Sequence, residues 1–429
     1  MARPEPAARS LHASSRYLSS RATGTPAEVG RMRIAMVAPP WYAVPPKAYG
    51  GVEMLVAGLA DGLVDRGHEV LLVSAGAHGT RAAGIATRPV PADDRLGDEV
   101  TSLLHGSAAE EALDDFRPDV VHDHTLPGLL AARHRPCPTV ATVHGPPCGE
   151  YGELLRAAEG VHLVAISQAQ RRLAPDLAWE SLVPNGIPVH KYPFREDKED
   201  YLFFLGRMHP DKGVIEAIEV AERSGSHLVI AARIHGQEEQ RFFTELVRPR
   251  LSSRIEFIGE VGFADKTRLL SRCRALLFPL QWEEPYGLVV AEAQACGTPV
   301  LSLRRGAVPE LVVDGRTGWL RDHHLELVDL VPRLDELSSQ DCRSHAVESL
   351  DISRSIRGYE RVFSWVVERA ARRSARTRLH VAPPTDVVEP VRRTTPDSPL
   401  GHPSARRELL ATGEGLDKGG RSRVDQSGS

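Results

Sequence analysis

Short β-branched runs alternate with longer helical stretches along this chain, and the alternation occurs twice, with a turn-rich segment between the two series. The first series opens at Ile34-Ala35-Met36-Val37, passes through a helical stretch from Val52 to Arg66 and returns at Val70-Leu71-Leu72-Val73. Further runs stand at Asp119 to His122, Thr139 to Val143 and His162 to Ile166, each closed by a polar or glycine-containing loop. Such alternation implies parallel sheets with crossover helices. The stretch from Val183-Pro184-Asn185-Gly186 to Lys198-Glu199-Asp200 concentrates turn formers and charge, as linkers between compact units do. A second series follows, with runs at Tyr201 to Leu205, His227 to Ala231, Ile255 to Ile258, Ala275 to Phe278 and Pro299 to Leu301. Helical segments at 214–223, 237–248, 264–273 and 287–296 separate them. The expectation is two open α/β domains, 32–190 and 191–352.

Size and charge agree with that division. A chain of 429 residues exceeds what one core organises, and 41% hydrophobic content supports two. The formal charge of -4, from 53 basic and 57 acidic residues, offers no global field for nucleic acid, so any anion site must be local. Five scattered cysteines lack the spacing of a zinc site or a disulfide framework, which reads as a reducing compartment. No apolar run approaches the roughly 18 to 20 residues that span a bilayer, so the chain reads as soluble or peripheral. Residues 1–31 lack the apolar middle of a secretory signal and are read as a disordered extension, with Met32 a candidate start. Helical periodicity runs from about Leu325 to Arg372, and 380–429, rich in Pro, Arg, Gly and Ser, is read as a disordered tail.

In open parallel sheets ligands bind beyond the carboxyl ends of the strands, so the segments following strands carry the candidate chemistry. Tyr49-Gly50-Gly51-Val52-Glu53 closes the loop after the first strand and opens a helix, where amides without a neighbouring Cβ approach a phosphate closely. A flexible turn is the plainer alternative. Gly206-Arg207-Met208-His209-Pro210-Asp211-Lys212-Gly213 follows the strand that opens the second domain, and Arg207 and Lys212 are candidates to hold a diphosphate in place of a metal. In Glu283-Glu284-Pro285-Tyr286-Gly287-Leu288 through Glu292, two glutamates stand eight residues apart, and the amides of Tyr286, Gly287 and Leu288 fall at a helix entrance. At about 1.5 Å of rise per residue the two backbones would lie roughly 12 Å apart, matching the two sugars of a nucleotide-sugar. The alternative for Glu292 is a buried ion pair with an arginine. His144, in Val143-His144-Gly145, would orient or help deprotonate an acceptor hydroxyl, or bond a donor hydroxyl; a structural turn histidine is the alternative. Asp123 and His124 add polar groups on the same rim.

Together these segments resemble family 4 of the retaining GT-B glycosyltransferases over about 32–372. The resemblance rests on Glu284 and Glu292 as an E-x7-E pair, the Gly206–Gly213 loop, Val183 to Ile187, Ala165-Ile166-Ser167, and Gly306 to Glu310 followed by Asp314 to Gly318. It implies two Rossmann-like domains facing each other across a cleft, with a helix near 353–372 returning to the first, acceptor-binding domain. It further implies that Arg207 and Lys212 neutralise the donor diphosphate, Glu292 holds the ribose and Glu284 meets the transferred sugar. Gly50 and Gly51 would face the phosphates from the other domain, the base would lie near Val261, and His144 would sit beside sugar and acceptor. The chain departs from the family pattern where Ala232-Arg233-Ile234-His235-Gly236 stands in place of an earlier glycine, and at Arg274 in place of an aspartate.

The expected activity is transfer of a hexose from a UDP-, GDP- or ADP-sugar, with retention, to a sugar, lipid or small-molecule hydroxyl. No cofactor and no metal are expected, and the sequence contains no D-x-D triplet of the kind that holds a divalent ion on a nucleotide-sugar. No nucleic-acid partner is expected. A weak membrane-surface contact rests on Arg133, His134, Arg135, Arg171 and Arg172, and the resemblance implies a cytoplasmic location. Two rivals share the frame: a nucleotide-sugar epimerase and a non-catalytic nucleotide-sugar binding protein. A dehydrogenase is disfavoured because no G-x-G-x-x-G follows the first strand.

Overall fold

The computed structural model describes residues 30–380; the extensions expected to be disordered, 1–31 and 380–429, lie outside the described residues apart from their inner ends. The first sheet contains β1 (Arg33–Val37), β2 (Glu69–Ser74), β3 (Ala83–Ala86), β4 (Val120–Asp123), β5 (Thr139–Thr142), β6 (Val161–Ala165) and β7 (Trp179–Leu182). Its order is β3-β2-β1-β4-β5-β6-β7. The second contains β8 (Glu199–Arg207), β9 (Leu228–Arg233), β10 (Ile255–Gly259), β11 (Cys273–Phe278), β12 (Val300–Leu303) and β13 (Gly318–Arg321), in the order β10-β9-β8-β11-β12-β13. All pairings within both sheets are parallel. Central strands such as β1, with Ile34 to Val37 at most 1% exposed, are covered on both faces, which is why they read as continuous apolar runs.

Five helices accompany the first sheet: α1 (Gly51–Asp65), α2 (Glu99–Phe116), α3 (Leu126–Ala131), α4 (Gly149–Ala157) and α5 (Gln168–Leu173). The second carries α6 (Val214–Ser224), α7 (Gly236–Phe242), α8 (Phe263–Arg272), α9 (Leu288–Ala295), α10 (Val308–Leu311) and α11 (Ser339–His345). The single helix expected over 237–248 is interrupted: α7 ends at Phe242 and a wider π-type turn follows over Phe243–Val247.

The final helix, α12 (Ile352–His380), crosses back to the first domain. Its Ile356, Tyr359 and Phe363 enter the core that holds Met36, Leu59, Leu63 and Leu72. Tyr359 Oη also meets Thr142 Oγ1 at 2.7 Å. Where the chain leaves and re-enters the first domain its two passages pair with each other. The Ile187 amide donates to Leu350 O at 3.0 Å, and the Ile352 amide to Ile187 O at 2.9 Å.

Both sheets reverse direction of growth next to their first strand, between β1 and β4 in one and between β8 and β11 in the other. Such a switch point opens a crevice at the strand ends, because the flanking crossovers depart to opposite sides. The segments after β1, β4, β8 and β11 are those that hold Gly50, His124, Lys212 and Glu284.

Candidate active site

On the second domain, Lys212 lies just past β8 and its Nζ is 2.6 Å from Glu284 Oε2. The same oxygen accepts the Trp282 indole N–H at 3.0 Å, and the ammonium lies 4.4 Å from the centre of the Trp282 ring. Both charged side chains are 13% exposed, so the pair is partly desolvated and fixed in orientation by the indole. The neighbouring Glu283 points elsewhere, and its Oε2 accepts the Gly306 amide at 2.8 Å and so seats the 306–310 loop. Arg207, at the end of β8, reaches Glu239 on α7 at 3.5 Å.

Glu284 is not on a helix. The chain from Glu283 to Gly287 is irregular, Gly287 adopts φ 93 in the left-handed region, and α9 starts only at Leu288. The expected 12 Å helical spacing between Glu284 and Glu292 therefore does not apply, because Pro285 and the left-handed glycine interrupt the helical rise. Glu292, in the second turn of α9, accepts from Tyr192 Oη at 2.9 Å and Lys266 Nζ at 2.6 Å. The ion-pair alternative is thus met by a lysine of α8 rather than an arginine.

The entrance of α9 carries no side-chain cap, and neither does that of α1. Uncapped starts leave first-turn amides unsatisfied and place the positive end of each helix dipole there. These two starts meet across the cleft: a Cβ on Gly51 would lie 3.0 Å from Leu288 Cδ1. Gly50 holds φ 141, and a Cβ there would come within 2.8 Å of Pro46, so only glycine fits. The Tyr286 ring is buried, and its hydroxyl donates to Asn185 O of the inter-domain passage. Val261 lines a separate hollow of about 660 Å³ with Ile258, Leu269 and His227. Its neighbour Glu260, by contrast, accepts the Tyr49 amide from the first domain at 3.3 Å.

The first domain contributes histidines. His144 Nε2 lies 2.9 Å from His124 Nδ1, the two rings stack with centres 5.2 Å apart, and His122 lies against His124 at 4.1 Å. Burial lowers all three: His144 to about 4, His122 to about 3 with His144 adding to the effect, and His124 well below its usual range. All are neutral imidazoles at pH 7, and a base that weak contributes little to deprotonation. Asp123 does not reach this cluster; it is buried under Arg135 at 2.8 Å and takes the Thr125 hydroxyl and amide. Glu53, three residues into α1, is 3% exposed and has no cation partner among the described residues. Burial pushes its carboxyl up to about 7.

The structure thus gathers Gly50, Gly51, Leu288, Lys212 and Glu284 about one crevice and sets Glu292 deeper within α9, while His144 follows β5 of the first sheet and is bonded to His124. Sequence reasoning missed Trp282, Lys266, Tyr192 and the role of Glu53 as a buried acid. Only Glu53 carried a signal, its place in the first turn after the glycine pair.

Two facing parallel sheets with helix entrances meeting at their switch points define a GT-B glycosyltransferase. The family described as Glycosyl transferases group 1 matches residues 189–348, and Glycosyltransferase Family 4 matches 49–191, so the two meet at the inter-domain passage. The chain is 27% identical over 343 residues to a glycogen synthase of Mycobacterium tuberculosis, covering 67% of this chain and 81% of that protein. It is 29% identical over 332 residues to a GDP-mannose-dependent alpha-mannosyltransferase of Mycolicibacterium smegmatis, covering 68% and 84%. Among solved structures it resembles AviGT4, a glycosyltransferase involved in avilamycin A biosynthesis, at TM-score 0.64 and 27% identity over 79% of this chain and 98% of that one. The chain belongs to family 4 of the GT-B glycosyltransferases. Among the described residues no helix is long and apolar enough to cross a membrane.

Proposed function

We propose that this glycosyltransferase moves a hexose from a nucleotide-sugar donor to a hydroxyl acceptor, with retention at the anomeric carbon and without a metal ion. The observation that carries the reading is the meeting of two uncapped helix entrances at Gly51 and Leu288, with Lys212 beside them. Two sets of free amides and a cation suit a diphosphate, which is the leaving group of such a transfer. Donors of this class are supported by the likeness to a GDP-mannose-dependent enzyme.

In the proposed reaction the bond from the anomeric carbon to the phosphate oxygen breaks, leaving an oxocarbenium-like sugar. The acceptor oxygen attacks from the same face, and its proton passes to the departing phosphate oxygen. Arg207, Lys212 and the α9 entrance stabilise the charge that develops on the diphosphate. Glu284 hands Lys212 over to the phosphate and accepts hydrogen bonds from the sugar hydroxyls, while Glu292 accepts those of the ribose hydroxyls. His144, which burial makes a weak base, orients a hydroxyl by hydrogen bonding instead of removing its proton. The first domain then takes the sugar, lipid or small-molecule acceptor. A cytoplasmic location goes with this reading.

The test is calorimetric binding and nucleotide release with UDP-, GDP- and ADP-hexoses in EDTA, with Lys212→Ala and Glu292→Ala as controls. Binding of one donor, lost in both variants and indifferent to magnesium, is the expected result. Folded protein that binds none of them would refute the donor-site reading.

A further inference from the structure

β8 and β9 keep parallel register to their last residues, so Arg207 and Arg233 stand side by side at the carboxyl ends of the second sheet. Register partners project from the same face, and like charges so placed repel unless each is otherwise engaged. Arg207 has Glu239. Arg233 has no carboxylate partner among the described residues; it crosses to the first domain instead. Its guanidinium donates to the Tyr42 hydroxyl, lies near His235 Nδ1 at 3.3 Å, and sits 5.2 Å from the centre of the Tyr42 ring and 5.6 Å from that of Tyr49. The two rings meet edge to face at 5.7 Å. Tyr49 immediately precedes Gly50, and its amide is held by Glu260.

We infer that Arg233, clasped between Tyr42 and Tyr49, is the latch that fixes Gly50 and Gly51 against the entrance of α9, and is a positioning residue for the departing diphosphate. Arg207 also acts on Tyr49 electrostatically, but it is the Arg233 guanidinium that lies against both rings and bonds the Tyr42 hydroxyl. A planar guanidinium covers two rings and still donates a hydrogen bond, which an ammonium on a flexible stem does not do as well. Arg233 falls within Ala232–Gly236, the segment in which the sequence departs from the family pattern by lacking an earlier glycine. Its effect on turnover rests on the donor-site reading given above; its effect on the loop does not.

The experiment pairs kinetics with hydrogen exchange on the full chain. Arg233→Ala and Tyr42→Ala are each expected to lower kcat for nucleotide release by about tenfold, with Arg233→Lys close to Arg233→Ala. Donor Kd stays within about threefold, because Arg207, Lys212 and α9 remain on the second domain. Because both side chains serve one interaction, the double variant is no slower than the worse single one. Exchange of the Tyr49 amide accelerates in Arg233→Ala without any donor. Unchanged exchange, additive losses in the double variant, or a loss confined to donor Kd would each overturn the latch, the last by making Arg233 a direct ligand. If the wild-type chain turns over no nucleotide-sugar, the functional reading fails and the exchange result alone decides the latch.

Discussion

The two walls of the cleft handle charge in opposite ways. On the second domain, Arg233 apart, ions are kept and paired: Lys212 with Glu284, Lys266 with Glu292, Arg207 with Glu239. On the first, His122, His124 and Glu53 are buried and His144 half-buried without counter-ions, so the histidines lose their charge and Glu53 tends to keep its proton. A paired ion can exchange its partner for a ligand of the same sign at small cost, whereas a neutral wall offers hydrogen bonds and no repulsion. One wall is therefore suited to an anionic leaving group and the other to uncharged hydroxyls.

The strongest way to break this contrast is Lys212→Ala, which should lower nucleotide release by roughly 10²- to 10³-fold, in the range found when a donor to a developing anion is removed. A loss of only about twofold in steady-state assays would make the Lys212–Glu284 pair a structural tie. Next is Glu53→Gln. The folded pKa of Glu53, about 7, lies above the unfolded value of 4.5, so the folded state retains a proton that the unfolded chain has released. Its stabilising contribution is complete below the unfolded pKa and is lost as pH rises through 7, up to about 3 kcal/mol by linkage. Urea unfolding should show the glutamine variant gaining on the wild type from pH 5 to pH 8, and parallel curves would mean that Glu53 is ionised in the fold. The histidines act in the opposite sense, costing stability as pH falls below 6.5.

A smaller effect is expected at His144. His144→Asn should slow nucleotide release about tenfold while leaving the shape of the pH profile between 5.5 and 8 unchanged, since the imidazole is already neutral there. Disappearance of an acid limb in that variant would show instead a titrating base. The smallest effect belongs to a chain ending at His380, whose turnover should stay within about twofold of the full length.

The alternation of strands and helices was legible because the central strands are buried on both faces and so carry unbroken apolar runs. β3 was not: all four of its residues are exposed, and Ala83-Gly84-Ile85-Ala86 contains no run to detect. β7, Trp179-Glu180-Ser181-Leu182, is a half-buried edge strand with the same difficulty. Lys212, Glu284 and the glycine pair were legible because each follows a central strand, where topology directs ligands. Trp282 and Lys266 matter only through contacts made by folding. Arg233 stands out in the sequence as a departure, but its importance depends on the register between β8 and β9 and on two tyrosines nearly two hundred positions earlier. Arg274, the other departure, ties Asp200 and Asp335 at 3.3 Å each on the outside of the second domain and has no part in the crevice.

The paired passages at Ile187 and Asp351 bear on how the walls can move. A single connecting strand would let one domain swing, twist and drift relative to the other. Two backbones bonded side by side behave as a door hung on a strip hinge: rotation about one line is easy, while sliding and wobbling strain both strips at once. A closing motion of the kind that shuts such clefts would thereby be guided along one arc, bringing Gly51 to Leu288 without a fresh search for alignment.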